Sequence, residues 1–224
     1  MRAAERRISV GDDEVSALWS HPDGAVAVLA LGHGAGAGMR HPFMEELAAA
    51  LAETGIATLR YQFPYMEAGR RFPDRAPRLI ATVQAAVAEA QELAPDLPLV
   101  AGGKSMGGRM TSQAAAAGDL PARGLVFFGF PLHPPKKPGI ERAAHLEAVA
   151  VPMLFLQGTR DALAVLELLT PVCRQLGRRA TLHEVVEADH GFAVPKRSGR
   201  LAGEVMAELA TTTRGWLERQ VLDS

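Results

Sequence analysis

Short apolar runs alternate with amphipathic stretches along most of this chain. The apolar runs are strand-sized and continuous, as in strands buried on both faces of a sheet, and they cover residues 25–31, 56–62, 99–103, 124–130, 152–157 and 180–186. Helical patterns predict helices at 43–53, 76–94, 106–117, 161–176 and 199–220. Alternation of this kind predicts an α/β fold with a mostly parallel central sheet and helices on both faces.

The N-terminal segment has a different pattern. Two alternating runs, ERRISV and EVSALWS, flank the turn-forming residues Gly11, Asp12 and Asp13. This arrangement predicts a hairpin that gives the sheet an antiparallel edge. Further along, the proline-rich stretch 130–138 cannot continue a helix or a sheet and is predicted to be a loop. Residues 131–151, between two predicted strands, are too few for a large lid.

Length and composition narrow the class of protein. With 224 residues and 48% hydrophobic side chains, the chain is expected to form one domain over residues 1–224. Its 24 basic and 25 acidic residues give a net charge of −1, which offers no general attraction to nucleic acid or to an anionic membrane. Cys173 is the single cysteine, and no segment resembles a signal peptide or a membrane span. A cytoplasmic location is expected.

The sequence Gly103-Lys104-Ser105-Met106-Gly107 is a G-x-S-x-G motif. It begins where an apolar run ends and it leads into a helical pattern, which is the context of a nucleophile elbow. A sharp strand-to-helix turn exposes the serine hydroxyl, and small residues are needed where a Cβ would clash. Ser105 is therefore the candidate nucleophile, although a serine at such a turn also serves simply as a helix cap.

A base and an acid follow Ser105 in the chain order that this elbow requires. Asp161 comes just after the run 152–157, and His190 comes just after 180–186. Carboxyl ends of parallel strands meet at one edge of the sheet, so the spacing allows a Ser-Asp-His triad there. Asp161 has the alternative role of a helix cap, and His190 that of an ordinary loop histidine. Asp189 is a poor orienting acid because adjacent side chains of extended backbone point to opposite faces.

An oxyanion hole needs two backbone N–H donors. Met106, directly after the nucleophile, is one candidate, and the loop Gly-His-Gly-Ala-Gly-Ala-Gly at 32–38 supplies the other from Ala35 or Gly36. The expected apolar lining of the substrate site consists of Tyr61, Phe63, Tyr65, Met66, Leu132 and Phe192. Basic residues follow the same strand ends and predict a positively charged rim, comprising Arg40, Arg70, Arg71, Arg75, Arg78, Lys136 and Lys137.

Two segments of the sequence partly match nucleotide-binding motifs. A P-loop ending at Lys104 and Ser105 would need a glycine at position 98, which is Pro98. The segment from Gly32 to Ala37 fits a relaxed dinucleotide fingerprint, and Arg60 in place of the usual acid leaves an NADP-binding protein as a minor alternative. The histidines show no tight ligand spacing, so neither a metal nor a cofactor is expected.

Longer strings carry a resemblance to a known family: GHGAGAGMRHPFM, FPYMEAGRRFPD, GGKSMGGRM, FPLHPPKKP and QGTRDAL. The chain resembles the α/β-hydrolase superfamily over nearly its whole length. Within it, these strings are similar to a small dienelactone-hydrolase-like branch that includes a testis-expressed animal protein and a histone-acetyltransferase-complex subunit. The resemblance implies an esterase-type triad of Ser105, Asp161 and His190. Dienelactone hydrolase itself uses a cysteine nucleophile, so the serine here argues against that activity.

These observations predict a serine hydrolase that cleaves a carboxylic ester or thioester through an acyl-Ser105 intermediate. Its partner would be a small acyl ester, and the sequence does not fix the oligomeric state. The competing hypothesis is a hydrolase fold that has lost catalysis and serves as an interaction module. A complete triad argues against it, because an idle fold has no need for all three groups.

Overall fold

Eight strands form one sheet in this computed structural model, which describes residues 3–118 and 120–222. Their order across the sheet is β1-β2-β4-β3-β5-β6-β7-β8. The strands are β1 (Ala4–Val10), β2 (Asp13–Ser20), β3 (Ala27–Gly32), β4 (Ile56–Tyr61), β5 (Leu99–Lys104), β6 (Leu125–Phe128), β7 (Met153–Gly158) and β8 (Ala180–Val185).

The predicted hairpin and parallel sheet are both confirmed. β1 pairs antiparallel with β2, β2 pairs antiparallel with β4, and all remaining pairs are parallel. The hairpin turn follows Val10, which pairs with Asp13, and Gly11 adopts a positive φ of 60° there. The antiparallel strands therefore lie at one lateral edge of the sheet. The carboxyl ends of the parallel strands remain available for a binding or catalytic site.

Helices follow the strands much as the periodicity predicts. They are α1 (Pro42–Glu53), α2 (Pro64–Glu67), α3 (Ala76–Leu93), α4 (Met106–Ala116), α5 (Leu166–Leu176) and α6 (Ala202–Leu217). The short α2 was not predicted, and neither was a 3-10 helix at Glu141–Ala148 in the connection between β6 and β7. That connection contains no larger element, so the expectation that the fold lacks a large lid is confirmed.

The largest difference concerns the start of α5. The pattern predicts a helix from residue 161, but the helix begins at Leu166. The Asp161 carboxylate accepts the backbone N–H of Leu163, and the Leu163 carbonyl accepts the N–H of His133. The second of these bonds favours a turn after β7, because a longer helix would use the Leu163 carbonyl to accept the N–H of residue 167.

Two apolar layers enclose the sheet. On one face, Val83 and Val87 of α3 belong to the same buried cluster as Phe127 and Phe155 of the sheet. On the other, Leu47 of α1 and Trp216 of α6 pack with sheet residues of a second cluster. β3, β4, β6 and β7 are buried at every residue, which explains why their sequences are continuous apolar runs rather than alternating ones.

Glycines allow β3, β5 and α4 to approach one another closely. A Cβ at Gly103 would lie 2.3 Å from the carbonyl oxygen of Gly32, and one at Gly107 would lie 2.4 Å from the same atom. Neither position has room for a side chain without movement of backbone. This contact places the start of α4 directly beside the loop that follows β3.

We predict that Gly103→Ala destabilises the fold by about 1–3 kcal/mol, because the added methyl group would overpack against immovable backbone. Gly203→Ala is the matched control, since a Cβ at Gly203 in α6 meets nothing within 4 Å. The control should be neutral or slightly stabilising, because alanine favours a helix. Urea unfolding of both variants measures the difference, and equal stabilities would contradict the close approach.

Candidate active site

Ser105 lies at the turn between β5 and α4. Its backbone angles, φ 51° and ψ −113°, are unusual for a residue with a side chain. The Ser105 N–H donates to the carbonyl of Phe128 at 3.2 Å, which ties the turn to β6. The surrounding structure thus holds Ser105 in a strained conformation with its side chain partly exposed, as a nucleophile elbow requires.

The loops after β7 and β8 bring Asp161 and His190 to the same edge of the sheet. His190 Nε2 lies 2.9 Å from Ser105 Oγ, and His190 Nδ1 lies 2.7 Å from Asp161 Oδ2. The Asp161 side chain is fully buried, whereas the imidazole is one-quarter exposed. The structure therefore brings together all three residues of the predicted triad, in a continuous chain of hydrogen bonds.

Gln157, which the sequence analysis did not single out, fixes the acid. Its side-chain amide donates to Asp161 Oδ2, and its Oε1 accepts the N–H of Phe130 at 2.9 Å. The sequence does carry a signal for Gln157, because it is a polar residue near the end of an otherwise apolar strand. In the structure its side chain is fully buried. Buried polar side chains of this kind are normally hydrogen-bonded for a structural or functional reason.

The two oxygens of the Asp161 carboxylate have different partners. Oδ2 faces His190, while Oδ1 accepts the backbone N–H of Leu163 at 2.7 Å within the turn after β7, so Asp161 does not cap α5, which begins at Leu166. The neighbouring acid Asp189 is used differently. Its Oδ1 accepts the N–H groups of Gly191 and Ala193 at 2.8 and 3.0 Å, so it shapes the loop that carries His190.

The loop after β3 runs beside the nucleophile. A Cβ built at Gly34 would lie 3.7 Å from the Cβ of Ser105. The next carbonyl, that of Ala35, accepts the Tyr65 hydroxyl at 2.8 Å, which fixes the orientation of this peptide. Within the described residues, no hydrogen bond uses the N–H of Ala35 or Gly36. Both candidates for the second oxyanion donor thus have an uncommitted N–H group.

His33 anchors the start of this loop. Its Nε2 accepts the N–H of Phe63 at 3.1 Å, and its Nδ1 lies 2.8 Å from the carbonyl of Gly34, so the neutral ring carries its proton on Nδ1. Burial lowers the pKa of His33 to about 4, against the smaller opposing effect of backbone hydrogen bonds to Gly34 and Ala37. His33 therefore stays neutral and joins the loops after β3 and β4.

The aromatic residues expected to line the site are instead packed inside. Tyr61, Phe63 and Leu132 expose none of their surface, and the Phe63 ring lies between those of Tyr61 and Tyr65, at 5.4 and 6.4 Å. Phe192 is 3% exposed and stacks on Phe43 at 5.7 Å. These side chains therefore pack beneath the loops and expose little or no surface to a substrate.

The predicted basic rim is partly neutralised. Arg40 pairs with Glu5 at 2.6 Å, and Arg70 and Arg78 both pair with Asp74, at 2.7 and 3.4 Å. Within the described residues, four members of the rim have no ion pair: Arg71, Arg75, Lys136 and Lys137. Positive charge at this edge is therefore smaller than the sequence suggests.

The structure lacks the local geometry that dinucleotide binding at residues 32–37 would require. A dinucleotide fingerprint leads directly into a helix, but α1 begins only at Pro42, well past Gly34 and Ala37. Arg60, the residue that would have met a 2′-phosphate, is 6% exposed and donates to the Met39 carbonyl at 3.1 Å. Among residues 3–118 and 120–222, no three His, Cys, Asp or Glu side chains cluster as metal ligands.

The sheet order, the strained elbow and the strand-end loops together define an α/β-hydrolase fold. A family model described as an alpha/beta hydrolase domain matches residues 25–218, so the chain belongs to this family. In the part of the chain that the structure describes, no helix has the length and apolar character needed to cross a membrane.

Solved structures with the same fold cover nearly all of the chain. An alpha-beta serine hydrolase homologue from Coxiella burnetii is 20% identical with a TM-score of 0.77, covering 95% of this chain and 98% of its own. Dienelactone hydrolase from Anabaena variabilis has the same identity and TM-score, with coverage of 98% and 99%. XC6422 from Xanthomonas campestris, described as a serine hydrolase without lid, is 20% identical with a TM-score of 0.75, covering 96% and 95%.

We predict that His33 makes the fold less stable in acid. Its folded pKa of about 4 lies below its ordinary value of 6.5, so the unfolded chain binds the extra proton between these pH values. Stability should fall by up to about 1.4 kcal/mol per pH unit as pH drops from 6.5 to 4. Urea unfolding of His33→Gln, which removes this titration, should show a shallower decrease.

The contribution of a second buried histidine and a control variant are needed to interpret the pH dependence of stability. His145 adds a loss of the same sign, because burial and, secondarily, Arg109 lower its pKa to about 4, so some slope should remain in His33→Gln. His21→Gln, which replaces an exposed histidine, is the control for the substitution itself. Identical slopes for wild type and His33→Gln would contradict the proposed role of His33.

Proposed function

We propose that this protein is a serine hydrolase that cleaves a carboxylic ester or thioester through an acyl-Ser105 intermediate. The observation that carries the proposal is the hydrogen-bonded series of Ser105 Oγ, the two ring nitrogens of His190 and the buried carboxylate of Asp161. Membership of the alpha/beta hydrolase family supports it. The structural neighbours called serine hydrolase and dienelactone hydrolase also support hydrolysis of an ester bond.

In the first half-reaction, Ser105 Oγ attacks the acyl carbon while His190 Nε2 takes the hydroxyl proton. The imidazolium then gives that proton to the departing alcohol or thiol, and an acyl-serine remains. Water repeats the sequence in the second half-reaction, with His190 again acting first as base and then as acid. Asp161 holds the proton of the neutral ring on Nδ1 and stabilises the imidazolium, because its carboxylate lies 2.7 Å from that nitrogen.

The negative charge on the substrate oxygen needs donors that are already in place. Met106 is the first residue of α4, so its N–H has no acceptor within the helix and lies at the positive end of the helix dipole. Ala35 or Gly36 supplies the second N–H from the adjacent loop. Tyr65, by donating to the Ala35 carbonyl, orients the peptide plane that carries the Gly36 N–H.

The site is suited to a substrate that approaches from solvent. Ser105 and Met106 are both partly exposed, and the connection between β6 and β7 adds only the 3-10 helix at Glu141–Ala148. With Tyr61, Phe63 and Leu132 fully buried, a deep aromatic pocket does not form around the nucleophile. We therefore propose small or extended acyl esters and thioesters as substrates.

Ser105→Ala and His190→Ala should each lower hydrolysis of p-nitrophenyl acetate by at least about a thousandfold. The double variant should lose little more, because members of a triad act as a unit. Ser105→Ala should also abolish labelling by a fluorophosphonate probe, which reacts with an activated serine. Steady-state rates and in-gel fluorescence provide the measurements.

Ser112→Ala is a matched control, because this buried serine lies on the same helix and also contacts a histidine, His145 Nε2, at 2.7 Å. Ser112 is fully buried and its hydroxyl also contacts the Arg109 carbonyl, so it should not react with the probe. Labelling that survives in Ser105→Ala would refute the proposed nucleophile. A folded wild-type protein that neither hydrolyses esters nor reacts with the probe would favour a binding role for the fold.

A further inference from the structure

Lys104, the residue before the nucleophile, contacts the loop that carries the base. Its ammonium Nζ donates to the backbone carbonyl of His190 at 2.6 Å. Lys104 and Ser105 are adjacent, so a single rigid turn contacts His190 twice, through the lysine ammonium and through the serine hydroxyl. None of the steps described above uses this lysine.

Aromatic rings enclose the lysine side chain. Nζ lies 5.8 Å from the ring centre of Phe43 in α1 and 5.6 Å from that of Phe192, two residues after the base. The two rings stack on each other with only 11° between their planes. A cation within about 6 Å of a ring face is attracted by the ring electrons. The two rings therefore offset part of the cost of burying a cation in otherwise apolar surroundings.

Gly129 leaves the space that this contact needs. Its φ is 72°, and a Cβ there would lie 3.1 Å from Lys104 Nζ and 3.5 Å from ring atoms of His190. A Cβ at this position, directly after β6, would crowd both the lysine ammonium and the His190 ring. The glycine thus allows the Lys104 ammonium to reach the backbone of the catalytic loop.

The loop that carries His190 is small and strained. Phe192 has a positive φ of 63°, and Asp189 closes the loop by exchanging backbone hydrogen bonds with Phe192 and Ala193, each of 3.0 Å. In the part of the chain that the structure describes, two hydrogen bonds join this loop to the elbow, one between the His190 side chain and Ser105 and one from Lys104 to the His190 carbonyl. A positioned base loses much of its effect when its distance to the nucleophile changes.

We propose that Lys104 is a positioning residue, whose charged ammonium holds the His190 backbone so that the imidazole stays within reach of Ser105. This inference rests on the proposed hydrolase function. It adds that the protein works with Lys104 protonated, since a charged donor forms the stronger hydrogen bond.

The charge on Lys104 is poised to change at mildly alkaline pH. Burial lowers the pKa of Lys104 to about 8, and the carboxylates of Asp161 and Asp189 oppose this shift. The ammonium otherwise faces the backbone carbonyl of His190, the rings of Phe43 in α1 and Phe192, and Gly129 just after β6, while Gly34 of the loop after β3 lies against the lysine Cγ. Above this pH the amine is neutral and donates a weaker hydrogen bond.

The wild-type rate of fluorophosphonate labelling should therefore fall by about threefold to tenfold above pH 8, as the charged hydrogen bond becomes a neutral one. Burial raises the pKa of Tyr65 and of Cys173 to about 12, so these groups do not titrate in this range. Labelling is measured from pH 6 to 10, with the reaction of the probe in buffer subtracted and circular dichroism recorded at each pH.

Lys104→Met should lower kcat/KM for p-nitrophenyl acetate at pH 7 by about tenfold to a hundredfold, through kcat rather than KM, and should lack the alkaline decline. Lys104→Arg keeps a positive charge at every pH tested, so it should be more active than Lys104→Met and also show no decline. Lys196→Met is the control, because it replaces an exposed lysine in the connection between β8 and α6, and it should retain the wild-type rate and pH profile.

The outcomes separate this inference from the proposed function. Failure of the wild type to react with the probe would refute the hydrolase proposal itself. A reactive wild type with a flat profile from pH 7 to 10, or a Lys104→Met variant that keeps the wild-type rate or the alkaline decline, would overturn the role of Lys104 alone. If Lys104→Met does not fold, the profiles of wild type and Lys104→Arg decide the question.

Discussion

The carbonyl of Gly32 leaves no room for a side chain at two positions of the elbow. Gly103 is the last but one residue of β5 and Gly107 the second residue of α4, and each would clash with Gly32 if it carried a Cβ. Between these two glycines the chain turns at Ser105, which has a positive φ. The close approach also brings the loop after β3 beside the start of α4, so the candidate nucleophile and the candidate oxyanion donors lie at one tightly packed junction.

Buried polar side chains then hold the other loops at fixed distances from that junction. Gln157 joins the end of β6 to Asp161, and His33 joins the loops after β3 and β4. Leaving a buried polar group without a partner destabilises the fold by more than one hydrogen bond stabilises it. Such hydrogen-bonded pairs therefore permit few alternative arrangements of the loops. The precision of the site therefore comes from residues that do not touch a substrate.

Electrostatics at the site depends on burial as much as on charge. Asp161 is fully buried but has two hydrogen-bond donors besides His190, which compensate for its removal from water. Lys104 is enclosed by Phe43 and Phe192, and burial lowers its pKa to about 8, so its charge changes at mildly alkaline pH. At the surface, by contrast, ion pairs with nearby acids reduce the basic rim.

The sequence by itself determined the strand and helix order and the three residues that meet at the sheet edge. Periodicity and the G-x-S-x-G motif are local signals, and parallel strands place their carboxyl ends together whatever their exact packing. Only the tertiary structure decided that Tyr61, Phe63 and Leu132 are buried, that α5 starts at Leu166, and that Gln157 and Lys104 form hydrogen bonds with Asp161 and with the backbone of His190. These features depend on contacts between segments distant in the chain, and a residue's own neighbours in sequence carry no record of such contacts.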